Sequence, residues 1–247
     1  HDGSARKASD PGGRAPVGRV RSSREELIIP GEGREIPEKR AMKNIKSYKN
    51  IVFDMGNVLI DYDEDRVSRK FSGNEALIRE VHNTVFCSSE WLKLDAGLIS
   101  EEEAERRWLP RLSSEEAKEL ARKAFSQWHL YNMREKPGTA EIIRGLHERG
   151  QRIFILSNAS LRLPGCYRRV MPLPELYDGV FFSAEHRCIK PQDIIYERFF
   201  RLFSLRPSEC FFVDDLPENI EAASIAGMDG FVFSDGRAET LKELFEL

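Results

Sequence analysis

The chain has 247 residues, a formal net charge of -3 at pH 7 and 40% hydrophobic residues, the profile of one large globular domain or of a core with a small insert. There is no basic excess to neutralise a phosphate backbone, which argues against nucleic acid as a partner, and no apolar run approaches the roughly 18 residues of a membrane span. The N-terminus lacks the apolar core of a signal peptide, and Cys87, Cys166, Cys188 and Cys210 are scattered with no CxxC pair, the pattern of reduced, mostly buried thiols in a cytoplasmic protein.

Residues 1–41 are rich in Gly, Arg, Pro, Ser and Glu. Such a segment buries too little apolar surface to order itself, so it reads as a disordered leader or tag, with Met42 as the expected native start. Ile51-Val52-Phe53 predicts a short buried strand that runs into Asp54, and Gly56-Asn57 breaks it. A carboxylate is costly inside a strand but tolerated at its open C-terminal end, the edge where α/β sheets bind ligands. Asp61-Tyr-Asp-Glu-Asp65 reads as an acidic turn.

From residue 66 to 135 the pattern is helical. Leu77, Ile78, Val81 and Val85 recur at helical spacing, and Ser100-Glu-Glu-Glu103 and Ser113-Ser-Glu-Glu116 read as capping boxes. This block predicts an all-helical insert of three to five helices between core segments 42–65 and 136–247. Beyond Pro137-Gly138, an amphipathic helix over 140–150 stops on glycine. Strands follow at 152–157, ending on the Ser157 hydroxyl, and at 179–183. Pro191 is expected at the first position of a helix that reaches about Phe203. A strand over 209–215 ends in Asp214-Asp215, a helix runs from Asn219 to Ala226, a strand covers 229–233, and 238–247 is helical. Strands alternating with helices imply an α/β fold, a Rossmann-like three-layer parallel sheet with right-handed crossovers.

Four groups therefore fall at or near strand ends: Asp54, Ser157, the Asp214/Asp215 pair, and Lys190 before a helix. A carboxylate can attack phosphorus to give an acyl-phosphate that water hydrolyses. That chemistry needs charge neutralisation and positioning. Asp54 and Asp215, with the Gly56 carbonyl, form a hard-oxygen set suited to Mg2+. Lys190 supplies a fixed cation for a phosphate, and Ser157 and the Asn158 amide supply donors.

The ordered set Phe53-Asp54-Met-Gly-Asn-Val, Leu156-Ser157-Asn158, Ile189-Lys190-Pro191 and Phe212-Val-Asp214-Asp215-Leu-Pro-Glu-Asn219 resembles the four motifs of the haloacid dehalogenase superfamily, over about residues 48 to 235. The insert sits where that family places a small helical cap. Within the family the sequence is most similar to the branch of bacterial glucose-1-phosphate phosphatase and the N-terminal phosphatase domain of soluble epoxide hydrolase. The resemblance implies a Mg2+-dependent phosphatase acting on a sugar phosphate or another small organic phosphate. It implies Asp54 as nucleophile, Ser157 and Lys190 as catalytic phosphate binders joined by Asn57 and Asn158, and Asp54, Gly56, Asp214 and Asp215 as the metal set. Asp214 and Asn219 are expected to order the ion's surroundings. A monomer or dimer is expected.

One departure stands out. Family phosphatases usually carry a second aspartate two residues after the nucleophile as general acid, and here that position is Gly56. Positioned acids contribute about 10²–10⁴-fold in rate, so the substrate needs a good leaving group, as a sugar-1-phosphate has, or another acid such as Asp61 or Asp63. Two rival readings follow: a metal-free carbon–halogen hydrolase, which also lacks that aspartate, and a phosphate-binding module without turnover. His82, His129, His147 and His186 show no ligand spacing and read as satisfied polar groups. Trp91, Trp108 and Trp128 read as core of the helical insert.

Overall fold

The computed structural model describes residues 44–247; the expected leader and the start at Met42 fall outside them. Five parallel strands form the main sheet: β1 (Asn50–Phe53), β4 (Arg152–Ser157), β5 (Gly179–Phe182), β6 (Cys210–Asp214) and β7 (Asp229–Val232), in the order β5-β4-β1-β6-β7. All four residues of the central β1 are buried. Side chains alternate between the sheet's two faces, and the sequence fills both. Ile51, Phe53, Ile155 and Val213 pack with Ile142, Leu146, Leu241 and Phe245 of α6 (Thr139–Glu148) and α9 (Ala238–Phe245). Val52, Phe154, Phe181 and Phe212 pack with Ile195, Phe199 and Ala223 of α7 (Asp193–Phe203) and α8 (Pro217–Ile225). Helices on both faces cover the near-continuous apolar strands that a parallel sheet requires.

Register sets the rim. Phe53 lies opposite Ile155 on one side and Val213 on the other, and the Asp54 amide donates to the Val213 carbonyl at 2.9 Å. The next residue of each strand therefore reaches the same C-terminal edge, which brings Asp54 beside Asp214 and near Ser157.

Between β1 and α6 lie α1 (Arg66–Phe71), α2 (Glu75–Val81), a π-helical turn at His82–Phe86, α3 (Ser89–Asp95), α4 (Glu101–Trp108) and α5 (Glu115–Tyr131). Ser100 accepts from the Glu103 amide as the capping box requires, while the second cap is Ser114, one residue later than expected. Ser113 instead bonds Glu80.

The acidic stretch is not wholly a turn. Ile60–Tyr62 forms β2, which pairs antiparallel with β3 (Met133–Glu135), so a two-stranded ribbon brackets the helical segment. Pro191 does not open a helix: α7 starts at Asp193 with Gln192 at its N-cap. Ser183 begins a short 3-10 turn rather than ending β5, and α8 begins at Pro217, two residues earlier than expected.

Candidate active site

Lys190 is the hub of the rim. Its Nζ lies 2.9 Å from Asp54 Oδ1 and 2.6 Å from Asp214 Oδ2, and its side chain is 1% exposed. Burial alone would lower the ammonium's pKa, but Asp214 and Asp54 outweigh it and hold Lys190 above its ordinary value. Burial pushes the Asp54 carboxyl up; Lys190 opposes this, the Asp214 charge adds to it, and a hydrogen bond with the Ser157 hydroxyl opposes it further.

Asp214 carries several structural bonds. Besides Lys190, it accepts from the Leu216 amide and from Asn219 Nδ2, each at 2.9 Å. Asp215, just past the strand, is different: it accepts from Asn57 Nδ2 at 3.3 Å. Its carboxyl is pushed up to about 6, by burial first and then by Asp54 and Asp214. Asn57 reaches it from a left-handed backbone position, φ 58°, a conformation asparagine tolerates better than most residues.

Asp54, Asp214 and Asp215 each present a carboxylate oxygen within 4.8 Å of the others. Three carboxylates facing one ammonium leave an excess of two negative charges, which a hard divalent cation would neutralise. Asp214 is also bonded to Lys190 and Asn219, so Asp54 and Asp215 are the more open of the three to such an ion, and Gly56 follows Asp54 in the chain. A Cβ built on Gly56 meets nothing within 4 Å, so the position that carries an acid in the resembled phosphatases is open space here.

Ser157 closes β4 and is buried. The Asn158 side chain brackets Lys190 through its backbone, accepting from the Lys190 amide at 2.8 Å and donating to its carbonyl at 3.0 Å. The loop after β4 thus fixes the lysine's entry into the rim.

Asp61 and Asp63 are engaged elsewhere. Asp61 pairs with Lys136 at 2.7 Å, and Asp63 accepts from the Asp65 amide at 3.0 Å and pairs with Arg69 at 3.3 Å. Trp108 and Trp128 are buried in the helical segment, where half-buried Trp91 packs edge-on against Trp128 and Phe125.

The sequence reading missed the seam between helices and rim. Arg162, five residues beyond Ser157, donates to Glu101 Oε1 and the Phe125 carbonyl, both at 2.8 Å, and to the Ser126 carbonyl at 3.1 Å. Its guanidinium lies over the Phe125 and Trp128 rings. Beside it, Ser183 Oγ accepts from the Ala159 amide and donates to the Asp95 carbonyl at the end of α3. Gly97 makes this approach possible: at φ 65°, a Cβ there would stand 2.3 Å from the Ala184 carbonyl oxygen. No sequence pattern announces these partners, because they come from segments far apart in the chain.

The parallel sheet thus gathers an aspartate, a buried lysine and an acid pair on one rim. Residues 48–227 match the haloacid dehalogenase-like hydrolase model, and the protein belongs to that family. Among curated proteins it is similar to the sesquiterpene phosphatase astK of Aspergillus oryzae, 26% identical over 81% of this chain and 97% of that protein. It is also similar to the D-ribitol-5-phosphate phosphatase of Bacteroides thetaiotaomicron, 25% identical over 76% and 93%. Its fold is similar to that of a haloacid dehalogenase family enzyme of Bacteroides thetaiotaomicron solved with magnesium and inorganic phosphate, TM-score 0.60, 20% identical over 77% of this chain and 96% of that one. The relatives are phosphatases of a terpenoid and of a sugar alcohol phosphate; neither is a glucose-1-phosphate phosphatase or an epoxide hydrolase. No described helix is long and apolar enough to cross a membrane.

Proposed function

We propose that the protein is a Mg2+-dependent phosphatase that hydrolyses a small sugar phosphate, with a hexose-1-phosphate as the representative substrate, through an aspartyl-phosphate on Asp54. The observation that carries this is the convergence of Asp54, Lys190 and Asp215 on one rim. Asp54 attacks phosphorus and the ester oxygen departs; water then hydrolyses the acyl-phosphate and restores the carboxylate. Lys190 opposes the upward push of burial on Asp54 and faces the phosphoryl oxygens, and Ser157 with the Asn158 amide donates to them. Asp54, Asp215 and the Gly56 carbonyl would hold the ion, which when bound supplies charge neutralisation for the phosphoryl group. The helical segment 66–135 acts as the cap over this rim, and four cysteines outside any disulfide fit a reducing compartment such as the cytoplasm.

The substrate reading rests on Gly56. With no acid at that position the leaving oxygen departs with little proton transfer, so phosphates of more acidic hydroxyls, anomeric ones among them, react best. The test is phosphate release from hexose-1-phosphate, hexose-6-phosphate and ribitol-5-phosphate, with Mg2+ and with EDTA. The expected order puts the 1-phosphate first and EDTA abolishes turnover. Halide release from 2-chloropropionate without metal would establish the dehalogenase reading instead. Asp54→Asn should lower turnover by at least about 10³-fold with the fold intact, as loss of a nucleophile does.

A further inference from the structure

A second reactive constellation lies outside the rim, in the helical segment. His82 Nδ1 is 2.8 Å from Asp65 Oδ1, and its Nε2 is 3.1 Å from Cys87 Sγ. His82 and Cys87 are five residues apart, a spacing that an α-helix turns away from one face. Here the backbone is π-helical over His82–Phe86, and the Cys87 amide donates to the His82 carbonyl at 2.9 Å. That extra residue per turn stacks the sulfur onto the imidazole. π-turns are uncommon and recur at functional sites.

The arrangement resembles that of an activated nucleophile: a sulfur beside an imidazole that a carboxylate orients, so that a positive charge stands next to the sulfur. Asp65 above all, then Cys87, raise the imidazole to about 10 against the opposing effect of burial. An imidazolium donates from both nitrogens, so one bond goes to the Asp65 carboxylate and the other to sulfur. The remaining cysteines are unlike this one. Cys166, Cys188 and Cys210 are buried, and burial raises each thiol, Cys210 to about 12. Cys87 is half-buried.

We propose that Cys87, with His82 and Asp65, is a thiolation site that reacts with small disulfides of the glutathione class. Sγ gives up its proton and attacks one sulfur of the disulfide, the new S–S bond forms as the old one breaks, and the departing thiolate takes up a proton in turn, His82 staying protonated throughout. No further oxidant is needed, and a reducing dithiol reverses the step. The site adjoins β2: the Tyr62 phenol is pushed up by burial, by the charges of Glu64 and Asp95, and also by Cys87 beside it. An adduct therefore sits where the ribbon joins the helices to the core.

The folded protein is incubated with oxidised glutathione near neutral pH, quenched in acid and mapped by peptide mass spectrometry. One glutathionyl group is expected on Cys87, none on Cys166, Cys188 or Cys210 before denaturation, and dithiothreitol removes it. Cys87 should react at least about tenfold faster than a synthetic peptide carrying the same residues unfolded, a comparison that needs no variant. Asp65→Asn and His82→Asn, if folded by thermal melting, should each slow the reaction by a similar factor. The proposal is overturned if the adduct forms no faster than on the peptide, if it forms equally on the buried cysteines, or if neither variant slows it.

Discussion

Two cations anchor two regions of this molecule, and they are held in opposite ways. Lys190 at the rim lies between two carboxylates and beside a third, with negative charge left over. Arg162 at the seam meets one carboxylate, two backbone carbonyls and two aromatic faces, and each of its guanidinium nitrogens donates a bond. The rim is under-neutralised, a charge balance that suits a cation. The seam is satisfied and so holds position. The two are joined by one short loop, since Asn158 brackets Lys190 and Arg162 follows four residues later. Chemistry and its alignment thus share a few residues of backbone.

The largest test of that contrast is Lys190→Ala. Truncating one partner of a buried ion pair costs about 3–5 kcal/mol because the other charge is left uncompensated, and here two carboxylates lose their cation. The substitution should also lower phosphatase turnover by about 10²–10³-fold, the loss typical of one electrostatic stabiliser. Urea unfolding and phosphate release read the two effects separately. Equal activity in the variant would remove the lysine from the site.

Arg162→Ala addresses the seam and should cost less. Removing bonds that are only part-buried, one of them an ion pair, costs about 1–3 kcal/mol. A displacement of the loop by a fraction of an ångström should reduce kcat by about tenfold, on the reasoning that misplacement of about 1 Å costs about 10²-fold. A compact aryl phosphate that needs no alignment by the helices should lose less than a sugar phosphate. Equal losses on both substrates would place Arg162 in stability alone.

The same contrast explains what could be read from the sequence. The strands of the core were legible because Ile51-Val52-Phe53, Ile153 to Leu156 and Phe211 to Val213 are apolar runs with turn signals around them. Asp54 and Asp214-Asp215 were legible because a carboxylate at the end of such a run has one tolerable place. β2 and β3 were not legible: each has three residues, and the pairing of Ile60 with Glu135 is between distant segments without a pattern of their own. Pro191 misled because proline marks a helix start only when the chain continues helically from it, and here the turn at Ile189–Gln192 intervenes, with the Gln192 amide on the Ile189 carbonyl. The His82–Cys87 contact was hidden by a π-turn, since helical periodicity assigns the two residues to different faces. Arg162 was hidden because its partners, Glu101 to Trp128, precede it by tens of residues in helices whose docking only the tertiary fold defines.

The finest test of the rim's leftover charge is its pH dependence. Asp215 has a carboxyl at about 6 in the folded protein against an ordinary value of 3.8. Between those values the folded state binds more protons than the unfolded chain, so this group's contribution to stability falls as pH rises through the window and the penalty is complete above about 6. Asp215→Asn removes the penalty. Without metal at pH 7.5 the variant should be more stable than the parent by about 1–2 kcal/mol, the full shift discounted for partial exposure and for an altered bond to Asn57; below pH 4 the two should converge. With Mg2+ the order should reverse, because the ion stabilises the folded parent by mass action and the variant has lost a ligand. Thermal melting at pH 4, 6 and 7.5, with Mg2+ and with EDTA, reads all of these. A parent protein whose melting is indifferent to Mg2+ at pH 7.5 would mean that the acid pair holds no ion.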